Sequence, residues 1–159
     1  ISRARFLRPD FAIAMDDLVP LLVGRTALAE ITADDLAPLL PFALRSEVER
    51  ALPSHFEAPT GSRVPIDYAA EAGPSIEIRV QELYGLGTHP TVANGRLPLT
   101  LVLLSPAHRP IQTTRDLPGF WRGSWADVRA DMRGRYPKHV WPENPLAAAA
   151  TSRAKPRGT

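Results

Sequence analysis

The spacing of apolar residues changes from helical to alternating near residue 55, and this change divides the chain. Residues 11–22 predict a helix with Asp10 as its cap, Leu18, Leu21 and Leu22 as apolar anchors, and Pro20 ending or kinking it. A second helix starts at Thr32, where Asp35 three residues on resembles a capping box, and Pro38 and Pro41 keep it short. Leu44, Val48 and Leu52, at i, i+4 and i+8, predict a third over 43–52. Beyond His55 the period is two. Residues 55–58 and 63–69 flank Pro59-Thr60-Gly61-Ser62, a connection suited to a hairpin. Ile76, Ile78 and Val80 alternate with Glu77, Arg79 and Gln81, as in a half-buried strand. A loop over 89–96 carries the turn dipeptide Asn94-Gly95. Leu97, Leu99, Leu101 and Leu103 then mark a strand that Val102 and Leu104 suggest is covered on both faces. Residues 110–115 read as a short polar strand.

The densest pattern lies over 115–145, RDLPGFWRGSWADVRADMRGRYPKHVWPENP, which holds all three tryptophans. Asp116 can cap a helix there, and Pro118 is tolerated in a first turn whose N–H groups have no intrahelical partner. Leu117, Trp121, Trp125, Val128 and Met132 fall on one face at helical spacing, predicting one continuous helix over 117–133. Arg122, Arg129 and Arg133 share a neighbouring face, with Asp127 and Asp131 roughly opposite. Gly134 suits the left-handed position after a helix, and Pro137 blocks continuation. Several strands followed by an amphipathic helix define an α+β fold with an antiparallel or mixed sheet. The expected organisation is a helical approach over 1–54, an α+β domain over 55–143, and a flexible basic tail over 144–159.

Composition narrows the chemistry. A chain of 159 residues, 44% hydrophobic and 23% charged, suits one modest soluble domain, and seventeen prolines keep its elements short. With no cysteine, disulfides and thiolate metal sites are excluded, which fits a cytoplasmic protein. There is no signal-peptide pattern and no apolar run near the ~20 residues of a membrane span, so no membrane partner is expected. The first residue is Ile1, and the sequence reads as a piece of a longer chain.

Net charge is +2 but unevenly placed: residues 1–104 carry nine arginines against thirteen acids, and residues 105–159 ten basic residues against four. Such asymmetry marks a basic binding face, or serves solubility or docking to an acidic neighbour. Catalytic signatures are missing. No GxxxxGK[ST] cradle or GxSxG elbow occurs, and His55, His89, His108 and His139 lack metal-ligand spacing. Asp16/Asp17 and Asp34/Asp35 lie where capping and helix-dipole complementarity explain them. Trp121 and Trp125 read as core rather than as base-stacking platforms. For Trp141 and Tyr136, stacking and a clip returning the chain end to the sheet both stand, and the clip is preferred.

HFEAPTGSRVPIDY at 55–68, RVQELYG at 79–85 and LLSPAHRPIQTTRDLPGFWRGSWADVRADMRGRYPKHVWP at 103–142 together resemble one family, the C-terminal domain of bacterial HrpB-type DEAH-box ATP-dependent helicases. The resemblance covers most of 45–145. It implies a parent with two upstream RecA-like motor domains that bind ATP and magnesium and act on RNA or other nucleic acid. No family catalytic residue falls in this chain, and no cofactor is expected in it. One expectation is an accessory domain extending the nucleic-acid track through Arg122, Arg129, Arg133, Arg135 and Lys138, with the tail's Arg153, Lys155 and Arg157 a second source of positive charge. The alternative is a protein-docking module that packs on the motor or recruits a partner.

Overall fold

In a computed structural model, residues 42–155 are described, with side chains from Ser46 onward. The chain falls into two units, Ile1–Pro53 and Ser54–Thr159, dividing close to where the hydrophobic period changes. Of the first unit, the helices predicted over 11–22 and from Thr32 lie outside the described residues. The third is present as α1 (Phe42–Ala51), with Val48 and Leu52 buried.

In the second unit, β1 (His55–Glu57) pairs antiparallel with β2 (Arg63–Pro65), setting Phe56 opposite Val64. Gly61 makes the reversal at φ +86, a left-handed conformation that a side chain would strain. β3 (Ser75–Arg79) buries Ile76 and Ile78 and exposes Glu77, as its alternation predicts. Val80, expected to continue the strand, instead opens a 3-10 turn (Val80–Leu83) whose four residues are all buried. The chain crosses over through a small hairpin, β4 (Thr91–Val92) with β5 (Leu97–Pro98), whose turn holds Ala93, Asn94 and Gly95 at φ +54, +56 and +84. β6 (Thr100–Leu104) then runs parallel to β3 and antiparallel to β7 (Pro110–Thr114), giving a mixed sheet in the order β3-β6-β7.

The strand predicted over 97–104 is thus two strands. β5 ends at Pro98, which has no N–H for a ladder, and Leu99 turns its own N–H to the Pro90 carbonyl at 3.0 Å. In β6, Leu101, Leu103 and Leu104 are buried and Val102 is half-buried.

The helix predicted over 117–133 is likewise two: α2 (Leu117–Arg122) and α3 (Trp125–Arg135). Asp116 caps α2 as expected, its carboxylate accepting from the Gly119 N–H at 3.0 Å. Gly123 ends α2, donating its N–H to the Gly119 carbonyl at 2.9 Å with φ −108 and ψ −91. Glycine is a poor helix former, and the break here resolves as a restart at Ser124. Gly134 lies inside α3, without the positive φ expected of it; Tyr136 closes the helix by donating to the Met132 carbonyl at 2.7 Å, and Pro137 stops it.

The helices are anchored by rings. Trp125 stands edge-on to Trp121 (centroids 5.4 Å apart) and to Tyr84 (5.7 Å), and Phe120 and Trp141 complete the cluster. Each polar tip reaches a backbone carbonyl: Trp121 to Leu86 at 3.0 Å, Trp125 to Pro142 at 3.0 Å, Trp141 to Tyr136 at 2.8 Å, and the Tyr84 hydroxyl to Val140 at 2.8 Å. A buried ring loses nothing from its polar end when that end is hydrogen-bonded. Trp141, buried at 7% exposure, packs the segment after α3 back onto Trp125 of that helix, where a clip to the sheet was expected, while Tyr136 is half-buried. The fold is α+β, as the pattern predicts.

Residues 144–155, expected to be part of a flexible tail, instead run back over the domain. Gly85 donates to the Pro145 carbonyl at 2.9 Å, Thr151 to that of Gln81 at 3.0 Å, and Lys155 to that of Lys138 at 2.7 Å. Arg79 adds a bond to the Ser152 carbonyl at 3.1 Å. Composition missed this strap because its docking is made by backbone groups, which leave no side-chain period. Among the described residues, no helix is long and apolar enough to cross a membrane.

Candidate nucleic-acid interface

α3 presents two faces because its apolar residues are few and aligned. Trp125 and Met132 are buried and Val128 half-buried, while Arg133, Arg135 and Asp131 are exposed. Arg129 and Arg133, one helical turn apart, lie side by side on one face. With Pro137, His139, Trp141 and Lys155 they line a depression of about 340 Å³. Among the described residues, no carboxylate lines it.

Within it, Arg129 is 22% exposed and held in place: its Nε donates to the Trp141 carbonyl at 2.9 Å, and a terminal nitrogen lies 3.6 Å from the Glu143 carboxylate. Arg133 is exposed, and its side chain has no hydrogen bond or ion pair among the described residues. His139 is held from behind, its Nδ1 facing the Gln81 amide nitrogen at 3.3 Å. Burial, and then the nearby Arg79 charge, push its pKa below the usual histidine range, and a backbone hydrogen bond at Arg153 opposes them. This shift favours the neutral ring, and the fixed positive charge here comes from Arg129, Arg133 and Lys155.

The other predicted residues lie elsewhere. Arg122 is exposed on α2, so the helical spacing that joined it to Arg129 and Arg133 does not carry across the break at Gly123. Arg135 pairs with Asp131 at 3.4 Å and sits 5.8 Å from the centre of the Tyr136 ring. It lines a separate depression of about 250 Å³ with Ser105, Arg109 and Met132. Lys138 is exposed, and its carbonyl holds the strap at Lys155. The five predicted residues are therefore not one stripe. Two share a depression, and Lys155 joins them from a segment no local spacing connects to α3.

A further polar cluster ties the hairpin to the 3-10 turn. The buried Glu82 carboxylate accepts from Ser62 at 2.7 Å, Thr60 at 2.9 Å and the Arg79 Nε at 3.2 Å. Burial raises its pKa most, but the two hydroxyl bonds and Arg79 together outweigh it, leaving the carboxyl below its ordinary value. The cluster is a clamp on the β1–β2 turn.

These features define the class: an α+β domain whose mixed sheet and ring-anchored helix pair carry a basic face, without a phosphate-cradling loop in its sequence. The family model described as ATP-dependent helicase C-terminal, HrpB_C, matches residues 18–145, and the chain belongs to that family. It is 44% identical over 142 residues to the ATP-dependent RNA helicase HrpB of Escherichia coli K12, covering 87% of this chain and 18% of that protein. Among solved structures it is similar to the E. coli DExH-box NTPase HrpB, with a TM-score of 0.79, 37% identity, and coverage of 96% of this chain and 21% of that one. A second structure, of the E. coli DEAH/RHA helicase HrpB, matches at a TM-score of 0.62 and 36% identity, covering 88% of this chain and 20% of that one. The chain spans about a fifth of the length of these relatives.

Proposed function

We propose that this chain is a noncatalytic C-terminal accessory domain of a cytoplasmic ATP-dependent RNA helicase and assists nucleic-acid binding beside the motor domains. The supporting observation is that Arg122, Arg133 and Lys138 are exposed along one short segment, with no side-chain ion pair among the described residues. Charges not neutralised internally are available to phosphates. Such contacts position a strand without reading its bases, so binding is sequence-tolerant. On this reading ATP and magnesium would be bound by motor domains elsewhere in the parent; the names of the relatives, an ATP-dependent RNA helicase and a DExH-box NTPase, support an ATP-dependent parent.

Salt dependence tests this reading. With about four single-strand phosphates neutralised, log K for labelled single-stranded RNA falls with log salt at a slope of roughly −3. No binding by the 159-residue chain at low salt would overturn it. The chain supplied with ATP and RNA should release no phosphate above a buffer blank, and turnover that follows mutations in this chain would contradict the noncatalytic assignment.

A second reading, docking on the motor or on a partner protein, draws on a depression of about 560 Å³ lined in part by Val64, Ile66, Ile76 and Val102. It becomes the account if the salt experiment fails.

A further inference from the structure

Arg129, Arg133 and Lys155 line one depression, and each reaches it differently. Arg129 is aimed by its Nε bond to the Trp141 carbonyl, which fixes the guanidinium while leaving its terminal nitrogens for another acceptor. One of these already lies 3.6 Å from Glu143, whose side chain is 87% exposed. An exposed carboxylate in a monodentate contact is a weak partner, readily displaced by a phosphate that can accept from two guanidinium nitrogens. Arg133 sits one turn on, so two like charges are held side by side, and among the described residues no acid lines the depression. Lys155 comes from the strap, its own N–H bound to the Lys138 carbonyl and the preceding residues held by Gln81 and Arg79.

We propose that Arg129, Arg133 and Lys155 form a preorganised pocket for a single phosphodiester group of a nucleic-acid strand, with the C-terminal strap as part of the site. This rests on the nucleic-acid reading above and adds to it a defined location and an unexpected member. Because the strap is already docked, binding requires little ordering of Lys155's backbone, which is how preorganisation raises affinity. The pocket's grip is on the backbone: the large ring in its wall, Trp141, is buried and its N–H is committed to the Tyr136 carbonyl, leaving only the half-buried His139 imidazole beside the three cations. Arg122 and Arg135 lie outside the pocket and serve other phosphates or none.

The test uses the 159-residue chain and a labelled single-stranded oligoribonucleotide at low salt, read by fluorescence anisotropy. Arg133→Gln and Lys155→Gln should each weaken binding about tenfold, as expected for losing one charge-assisted hydrogen bond. Their combination should depart from the product of the two effects, because both side chains hold the same phosphate. Arg133→Gln combined with Arg122→Gln should multiply. Glu143→Gln should tighten binding, Lys155→Arg should retain it, and Arg63→Gln, on the exposed hairpin, should leave it unchanged. A Lys155→Gln chain that binds like the wild type, or a Lys155/Arg133 pair that simply multiplies, overturns the pocket while leaving the nucleic-acid reading in place. A wild-type chain that binds no RNA removes both. Unchanged urea midpoints confirm that the variants report on binding rather than folding.

Discussion

On the inward side of the 117–142 segment, Trp121, Trp125 and Trp141 each place an indole N–H on a backbone carbonyl at 2.8–3.0 Å. On its outward side, Arg122 and Arg133 have no partner among the described residues, and Arg129 uses only its Nε and one weak contact. The same residues of chain supply both sides. Polar groups that leave water must be satisfied, and the three tryptophans are. Guanidiniums that stay in water carry no such requirement, so their positions reflect what they can reach. The difference separates what holds the fold from what is proposed to bind within one short stretch: disrupting the rings should unfold the domain, and disrupting the exposed arginines should not.

The largest expected effect is on the inward side. Trp125 is 2% exposed and touches Tyr84, Phe120, Trp121 and Trp141. Trp125→Ala should cost about 3–5 kcal/mol, a large share of a small domain's stability. A urea midpoint equal to wild type would break the contrast at its strongest point.

Glu82→Gln comes next. Leaving the Arg79, Ser62 and Thr60 donors with a neutral acceptor should destabilise by about 1–3 kcal/mol at neutral pH. Because the folded carboxyl lies below its unfolded value, its contribution is present above the ordinary carboxylate range and is lost as pH falls through the depressed folded value. The gap between variant and wild type should therefore close on acidification. A gap that stayed constant down to strongly acidic pH would show that Glu82's charge is not what matters.

Asp116→Ala removes the α2 cap and the Gly119 bond, with an expected cost of about 1 kcal/mol. The smallest effect belongs to the outward side: Arg133→Ala should move stability by no more than about 0.5 kcal/mol. A larger loss in thermal unfolding would mean that Arg133 supports the fold after all.

What the sequence made legible follows from distance along the chain. The hairpin turn at Gly61, the Ile76/Ile78 alternation, the Asp116 cap and the burial of Trp121 and Trp125 are all signalled within a few residues. The break at Gly123 was not, since a glycine in a helix costs only about 1 kcal/mol relative to alanine and often does not interrupt it. That one residue removed Arg122 from the predicted stripe. Arg135's pairing with Asp131 is visible in the i, i+4 spacing, but assigning Arg135 to a binding face hid it. Lys155 was seen only as one charge in a basic tail. Its place beside Arg133 depends on carbonyls of Gln81 and Lys138, and no side-chain pattern encodes those bonds.

The most direct test reverses the outward charges and reads both properties on the same protein. In an Arg122→Glu/Arg133→Glu chain, affinity for single-stranded RNA at low salt should fall by more than about tenfold. The urea midpoint of that chain should stay at the wild-type value. RNA affinity equal to wild type, with the fold intact, would show that the basic face does not bind nucleic acid.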